Sequence, residues 1–266
     1  MNQLAFSTLG CPAWDIDRIC SAAVEYGYDA VELRGYLDQM DLPLAAPFTT
    51  SARGETRQRF ADAGVSFCCV SSSGVVAQGN VDHVLAHAEL ARDLGAPSVR
   101  VFGGRLPADV SHADGLARFA ETLRAFGDAA SDHGVRIVLE THDDFSTGAQ
   151  VAELLADTAH PAVFALWDLH HPYRQGEDPA ETMARIGEQT RHVHVKDGLV
   201  GTGYTLMDEG DIPLRPMLDL LLDTGYAGPI SLEWEKRWAP QIAEPEVAFP
   251  QYAKGLREYL AGRAAG

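Results

Sequence analysis

The sequence predicts an α/β protein, a single (β/α)8 TIM barrel, and three observations lead to this fold class. Short runs rich in Val, Ile and Phe alternate with longer Ala- and Leu-rich runs of helical period along the whole chain. Eight such β-then-α units can be counted. No linker-like or low-complexity stretch separates them, so we expect one domain over residues 1–266.

Each strand and helix has its own signal. The strands are predicted, in chain order, at LAFSTLG (4–10), DAVELR (29–34), VSFCCVS (65–71), SVRVFGG (98–104), VRIVLETH (135–142), AVFALWDLHH (162–171), RHVHVKD (191–197) and PISLEWEK (229–236). The helices are predicted at 15–26, 50–63, 80–94, 112–133, 148–159, 179–188, 214–223 and 247–261. Several helices end in glycine just before the next strand, as in YGYD and DLGAPS, because glycine forms the left-handed cap that turns the chain back. An open doubly wound sheet is the alternative, but it needs a Gly-rich loop after its first strand, and CPAWD at 11–15 is not one.

Composition and charge exclude several classes of protein. A chain of 266 residues that is 46% hydrophobic can bury a large core. Its formal net charge of −17 argues against a nucleic-acid partner, which needs a basic surface. The four cysteines show no CxxC spacing, so we expect neither a disulfide framework nor a zinc site, but a reducing cytoplasm. No stretch has the length and apolarity of a membrane span, so we expect no membrane partner.

Polar residues gather at the predicted carboxyl ends of the strands, where the loops of a barrel form its functional face. They are Glu32 and Arg34 on strand two, Glu140 and His142 on strand five, Asp168, His170 and His171 on strand six, His192, His194 and Lys196 on strand seven, and Glu233 and Glu235 on strand eight. Side chains alternate between the two faces of a strand, so the three polar residues of RHVHVKD share one face.

Two explanations of the carboxylates remain open when each is considered alone. Buried acids are rare unless they are paired or bound to a metal. Glu140, Asp168 and Glu233 could therefore be ion-paired with Lys196, Arg34 or Lys236. Considered together, three carboxylates and His194 on one rim favour a bound divalent cation.

The other histidines and the tryptophans have simpler interpretations. His192 lies two residues deeper in its strand and is expected to be a hydrogen-bonded core histidine. At most one of the adjacent His170 and His171 is expected to point inward. We expect Trp167 and Trp234 in the core, whereas Trp14 follows strand one at the functional end. The histidines on or near predicted helices are expected at the solvated surface: His83, His87, His112, His133 and His160.

The ordered set LETH, WDLHH, HVHVKD, DEGDIP and SLEWE resembles the xylose isomerase-like TIM-barrel superfamily. That superfamily includes sugar and sugar-phosphate isomerases and epimerases, inosose dehydratases, hydroxypyruvate isomerases and endonuclease IV. The opening STLGCP…GYDAVELRG is similar to the sugar isomerase/epimerase branch, so the resemblance covers nearly the whole chain. In DEGDIP, Asp208 stands where the family has glycine.

The resemblance implies one divalent metal ion and a set of residues around it. The implied metal ligands are Glu140, Asp168, His194 and Glu233, and Glu235 is the alternative on strand eight. The same resemblance implies that His171 contacts substrate and that His142 and Lys196 line the pocket. The remaining candidates for substrate contact at this end are Glu32, Arg34, Trp14 and Glu235.

The predicted ligand set also has a chemistry of its own. Three carboxylates and an imidazole form a hard site, for which we expect Mn²⁺, with Mg²⁺, Co²⁺ or Zn²⁺ as alternatives. Such an ion polarises a carbonyl, and Glu140 and Glu233, on different strands, are the expected acid–base pair. We therefore expect an isomerase or epimerase of a small carbohydrate that acts through an enediolate. A dehydratase or lyase would use the same groups.

Three further alternatives concern function and partners. Endonuclease IV takes metal-binding histidines from strands three and four, and CCVSSS and VRVFGG contain none, so a DNA-repair function is not expected. A non-catalytic sugar-binding barrel with an ion-paired rim remains open, and it predicts no stoichiometric metal. The proline-rich segment EKRWAPQIAEPEVAFPQ is long for a final loop and could cover the mouth or contact a second subunit of a homo-oligomer.

Overall fold

Eight parallel strands close into a barrel in the computed structural model, which describes residues 2–265. The barrel strands are β1 (Leu4–Ser7), β2 (Ala30–Leu33), β3 (Ser66–Val75), β4 (Ser98–Phe102), β5 (Arg136–Glu140), β6 (Val163–Asp168), β7 (Thr190–Val195) and β10 (Ile230–Leu232). Each pairs with the next in parallel register, and β10 pairs with β1 to close the ring. The predicted (β/α)8 barrel is confirmed.

Helices surround the barrel. They are α1 (Ile16–Tyr26), α2 (Arg53–Asp62), α3 (Val81–Leu94), α4 (His112–Ser131), α5 (Gly148–Thr158), α6 (His170–Arg174), α7 (Pro179–Ile186), α8 (Leu214–Leu222) and α9 (Pro245–Ala265). Local sequence explains where they begin: the Asp15 side chain accepts a hydrogen bond from the backbone N–H of Arg18, and Thr147 and Gln150 form a capping box. None of the helices in residues 2–265 combines the length and apolarity needed to cross a membrane.

Several strands end earlier than the sequence predicts. The run AVFALWDLHH was predicted as strand to residue 171, but β6 ends at Asp168 and His170 begins α6. The Asp168 carboxylate causes this change, because its Oδ1 accepts the His170 backbone N–H at 2.8 Å and so starts a helical turn. Similarly, β7 ends at Val195 and β10 at Leu232, so that Lys196 and Glu233 lie just beyond their strands.

A two-stranded hairpin that the sequence did not predict follows β7. Strand β8 (Asp197–Leu199) pairs antiparallel with β9 (Gly203–Thr205). The Asp197 carboxylate organises the loop after it by accepting the backbone N–H groups of Asp208, Gly210 and Ile212 at 3.0–3.2 Å. Only glycine fits at 210, because a Cβ there would lie 2.0 Å from Asp197 Oδ1. Asp208 adopts the left-handed conformation (φ 69°) that the family's glycine would take, and aspartate tolerates it.

The barrel interior changes from apolar to charged along its axis. Small and apolar side chains fill its lower part, including Ala5, Ala30, Cys69, Val138 and Leu166. Two residues further along the same strands come Ser7, Glu32, Ser71, Glu140 and Asp168, all buried. The main apolar core lies outside the barrel, between strands and helices, and contains Trp167 and Trp234 as expected. All four cysteines are buried free thiols.

Candidate active site

Three carboxylates and one imidazole converge at the carboxyl end of the barrel. They come from the end of β5, the end of β6, β7 and the residue after β10: Glu140, Asp168, His194 and Glu233. One oxygen or nitrogen atom of each lies within 4.8 Å of the others. His194 Nδ1 is 3.4 Å from Glu233 Oε2, 3.6 Å from Glu140 Oε1 and 3.8 Å from Asp168 Oδ2. The structure therefore brings together the four residues that the sequence proposed as metal ligands.

Glu32 lies deeper in the barrel than the cluster and fixes the orientation of His194. Its carboxylate accepts the His194 Nε2–H at 2.9 Å, the His192 Nε2–H at 2.9 Å and the Ser71 hydroxyl at 2.5 Å. With Nε2 as the donor to Glu32, Nδ1 faces the three carboxylates of the cluster, where it would coordinate a cation once its proton is displaced. Burial opposes ionisation, but the two imidazoles hold the pKa of Glu32 well below its usual range.

This contact network corrects one prediction and confirms another. Glu32 was expected to contact substrate, yet it is fully buried beneath His194 with both oxygens engaged, so it acts as a positioning residue. His192 is the buried, hydrogen-bonded core histidine that the sequence predicted.

Lys196 and Arg100 neutralise part of the carboxylate charge. Lys196 is fully buried, and its Nζ lies 2.6 Å from Asp168 Oδ2, 2.9 Å from Glu235 Oε1 and in contact with Glu233. Arg100 Nε lies 3.2 Å from the second oxygen of Glu140, without the angle of a hydrogen bond. The ion-pair explanation is thus correct for Lys196.

The other two expected ion-pair partners bind elsewhere. Arg34 donates to the Ser73 hydroxyl at 2.9 Å. Lys236 contacts Glu244 and two backbone carbonyls. Burial and the nearby Arg100 lower the pKa of Arg34 to about 9.

The charges do not balance within the cluster. Five carboxylates (Glu32, Glu140, Asp168, Glu233 and Glu235) face three side-chain cations (Lys196, Arg34 and Arg100). Burial opposes protonation of His194, but Glu233 and Glu32 raise its pKa well above the usual range, so a proton on His194 offsets part of the excess negative charge. Among the residues described, His194 Nδ1 and Glu140 Oε2 are buried without a hydrogen-bond partner. A divalent cation would replace that proton, and the hard oxygen-and-nitrogen donor set fits it.

The mouth of the barrel forms a cavity above this cluster. Its lining combines residues the sequence proposed with residues it missed: Leu9, Arg34, Arg100, Phe102, Glu140, His142, Glu233, Glu235 and Trp238. The sequence did contain a signal that Arg100 points into the barrel. Arg100 lies between Val99 and Val101 on its strand, just as the histidines of RHVHVKD lie between valines. Its guanidinium lies 3.8 Å from the centroid of the Phe102 ring.

Further polar side chains surround the mouth. His171 Nε2 is 3.5 Å from Asp168 Oδ2, and the His171 ring meets the His142 ring edge to face at 5.0 Å. His170 turns away and accepts a hydrogen bond from Arg174, so only one of the adjacent pair faces the cluster. Tyr204 on the unpredicted hairpin donates to Glu235 at 2.7 Å.

Four aromatic or histidine predictions are corrected by the structure. Trp14 was a candidate for substrate contact, but it is buried against Phe249 and donates to Glu246. Three of the histidines that were expected at the solvated surface lie mostly inside the protein. Of these, His87 is fully buried, and His83 and His160 are largely buried, with 21% and 13% of their side chains exposed.

A larger cleft of about 680 Å³ lies at the opposite end of the barrel. It is lined by residues at the starts of strands, including Ser98, Arg136, Thr190 and Pro229. The four-residue cluster is not among its lining residues. Because the reactive groups of TIM barrels come from the carboxyl ends of the strands, we place the site at the smaller cavity.

Comparison with known proteins agrees with this fold. The sequence matches the family model described as xylose isomerase-like TIM barrel over residues 20–259. The inosose dehydratase of Clostridium botulinum (strain Alaska E43 / Type E3) is 27% identical over 168 residues, which cover 54% of this chain and 53% of that protein. The chain therefore spans about half the length of this curated relative.

Two solved structures illustrate the likeness in fold. The structure of L-ribulose 3-epimerase has a TM-score of 0.82 at 20% identity, covering 100% of this chain and 97% of that one. The IolI protein, solved with a zinc atom, has a TM-score of 0.76 at 16% identity, covering 95% and 96% of the two chains.

Proposed function

Because this chain belongs to the xylose isomerase-like TIM-barrel family, we propose that it is a divalent-metal-dependent isomerase or epimerase. Its substrate is a small sugar, keto-sugar or cyclitol derivative. The observation that carries the proposal is the convergence of Glu140, Asp168, His194 and Glu233, where carboxylates outnumber the nearby lysine and arginine side chains. The epimerase and inosose dehydratase names of its relatives support a carbohydrate substrate.

These four residues would hold the ion, for which we propose Mn²⁺, with Mg²⁺, Co²⁺ or Zn²⁺ as substitutes. The zinc atom in the IolI structure supports a metal in this fold. When bound, the ion supplies a Lewis acid that polarises a substrate carbonyl and acidifies the neighbouring C–H. The protein's own contribution is to orient and charge the ligands: Glu32 holds the orientation of His194, and Lys196 keeps Asp168 ionised.

Glu140 and Glu233 are the proposed proton carriers. Glu140 ends β5 and Glu233 follows β10. Two other strands separate β5 from β10 in the barrel, so the two glutamates approach the cluster from different sides. Burial would raise the pKa of both, but His194 and Arg100 lower it for Glu140, and His194 and Lys196 lower it for Glu233. Both are therefore carboxylates at neutral pH, ready to accept a proton.

The proposed reaction transfers one proton. One glutamate removes the proton beside the carbonyl, which leaves an enediolate on the substrate, and the other returns a proton. Return to the opposite face of the same carbon gives the epimer. Return to the adjacent carbon, with transfer of the hydroxyl proton to the former carbonyl oxygen, gives aldose–ketose isomerisation. His142, His171 and Arg34 are placed to bind substrate oxygens, and the positive charge of Lys196 offsets the developing negative charge.

Metal removal and isotope exchange test this proposal. Protein stripped with EDTA, with its metal content verified, should be inactive on a panel of ketoses, inososes and keto-glycosides, and Mn²⁺ should restore turnover. In deuterated water, the active protein should place deuterium on the carbon beside the carbonyl. Asp168→Asn and His194→Ala should each lose most of the bound metal. Full turnover by verified apo-protein would contradict the proposal, and a non-catalytic barrel would show neither stoichiometric metal nor exchange.

Dehydration is the second candidate, and the similarity to inosose dehydratase favours it. The same enediolate expels a β-hydroxyl group as water when an acid protonates that group. Tyr204 is placed for this role, because burial and nearby Glu235 hold its pKa above the usual value and the phenol keeps its proton. A product with a conjugated carbonyl, detected by its ultraviolet absorbance, would identify a dehydratase. Tyr204→Phe should then reduce elimination more than proton exchange.

We also propose that residues 1–266 form one domain that works in a reducing cytoplasm. Two observations support this. The strands of one closed barrel extend from Leu4 to Leu232, and the last helix packs against β1. The four buried thiols are unpaired. The exposed Trp238 lies beside the mouth of the barrel, where a second subunit of a homo-oligomer would cover it. Sedimentation tests this by measuring the oligomeric state.

A further inference from the structure

A second group of potential metal ligands lies outside the proposed active site. Asp41 belongs to the loop after β2, and His83 and His87 are one helical turn apart on α3. One ligand atom of each lies within 4.8 Å of the others. Asp41 Oδ1 is 3.9 Å from His83 Nδ1 and 3.8 Å from His87 Nε2. Residues four apart on a helix project from the same face, so both imidazoles approach Asp41 from one side.

The hydrogen bond of His87 defines which of its nitrogens is free. His87 Nδ1 is 2.8 Å from the backbone carbonyl oxygen of His83, which can only accept, so Nδ1 carries the proton. The side chain is fully buried, and Nε2 has no hydrogen-bond partner among the residues described. A neutral imidazole with its proton on Nδ1 presents an unshared electron pair at Nε2.

This electron pair faces a carboxylate, which is also an acceptor. No hydrogen bond can join the two atoms at 3.8 Å, and a buried acceptor without a donor destabilises the fold. A cation between them would satisfy both. Ligand atoms about 2.1 Å from a tetrahedral zinc ion lie about 3.4 Å apart, so each need move only a few tenths of an ångström. A histidine ligand whose other nitrogen donates to a backbone carbonyl is the usual arrangement at such sites.

We propose that Asp41, His83 and His87 form a second metal site, which takes a borderline divalent ion such as Zn²⁺, Co²⁺ or Ni²⁺. Two imidazoles and one carboxylate favour these ions over Mn²⁺ and Mg²⁺, for which the carboxylate-rich cluster is suited. The Asp41 side chain is 39% exposed, so water can reach the site and complete the coordination. The bound ion ties the loop after β2 to α3.

That connection leads towards the mouth of the barrel. The loop begins just after Arg34, which lines the cavity above the cluster. It also contains Leu42, which is fully buried in the core next to the proposed ligand Asp41. Occupancy of the second site should therefore reduce the mobility of this loop without supplying any reacting group.

Metal stoichiometry of the full chain tests the proposal. Chelator-stripped protein is titrated with Zn²⁺ in equilibrium dialysis and with Co²⁺ by absorbance, so that both ions are counted per chain. Wild type should bind two ions. His83→Ala and Asp41→Asn should bind one, or bind the second at least tenfold more weakly. His194→Ala should lose the other ion and keep this one, which separates the result from the fate of the proposed function.

Matched controls keep the test decisive. His112 pairs with Glu153 on the exposed surface, so His112→Ala removes a comparable histidine–carboxylate pair and should still bind two ions. Asp41 is partly exposed, and Asp41→Asn therefore gives a folded variant even if a change at His87 disrupts α3. If His83→Ala and Asp41→Asn both bound as many ions as wild type, with unchanged affinity, the proposal would be overturned, whether wild type binds one ion or two.

Discussion

Replacing Glu32 with glutamine tests whether a residue below the site controls metal binding above it. The Glu32 carboxylate accepts hydrogen bonds from Ser71, His192 and His194 and is fully buried. Glutamine has nearly the same shape, but it carries no charge and offers one oxygen and one N–H₂ group. The amide nitrogen would then face an imidazole N–H that has lost its acceptor.

The structure allows the size of the effect to be worked out. Removing one partner of a buried ionic network costs about 3–5 kcal/mol of stability, because the remaining donors stay buried without a partner. Loss of the group that orients a metal-binding histidine weakens metal affinity by about 10–100-fold. That loss corresponds to about 1.4–2.7 kcal/mol of binding free energy. Glu32→Gln should therefore bind Mn²⁺ 10–100-fold more weakly and unfold at a lower urea concentration.

Calorimetric titration of Mn²⁺ and urea unfolding of the apo-protein measure these two quantities. Ser71→Ala is the matched control, since it removes one neutral donor to Glu32 and leaves the charge and both imidazole contacts in place. The control should cost about 1 kcal/mol and change Mn²⁺ affinity by no more than about threefold. If Glu32→Gln bound Mn²⁺ as tightly as Ser71→Ala does, the positioning role would be refuted.

Four other substitutions have distinct expected results. Glu140→Gln and Glu233→Gln should keep partial metal binding, because an amide oxygen still coordinates, while turnover falls by roughly two to four orders of magnitude in a steady-state assay. Lys196→Met should lower the free energy of unfolding of the apo-protein by about 3–5 kcal/mol in urea, because three carboxylates lose their shared cation. Mn²⁺ should restore part of this stability. Equal stability of the variant and wild type would contradict the prediction. Gly103→Ala should lower the free energy of unfolding by about 1–3 kcal/mol, since a Cβ there would lie 2.3 Å from the Phe145 ring, and an unchanged unfolding midpoint would show that the loop yields freely.

The barrel and the four clustered residues could be predicted from sequence because both follow from periodicity. Alternation in RHVHVKD placed His194 on the inner face, and closure of eight strands brings the ends of β5, β6, β7 and β10 together. Barrel closure alone therefore brings together the carboxylates of the cluster, although their strands are far apart in sequence. The same alternation was present around Arg100, and applying it to every strand would have included that residue.

Other features depend on contacts that no local pattern encodes. Trp14 lies at the expected end of the barrel, but α9 returns over it from more than 200 residues away. His87 lies on a helix whose buried face also receives the loop after β2, and the helical pattern alone gave no sign of that loop. The hairpin at Asp197 depends on one carboxylate that gathers several distant backbone N–H groups. In each case the deciding partner is remote in sequence.

The cations buried beside the cluster affect the order of events in the protein's biogenesis. Lys196 and Arg100 already lie against the carboxylates that would repel one another in an empty site. A zinc finger remains unfolded until its metal arrives, because nothing else holds its ligands together. This barrel has built-in counterions instead, so we expect the newly made chain to fold before it binds the proposed ion, from whatever supply the cell then offers.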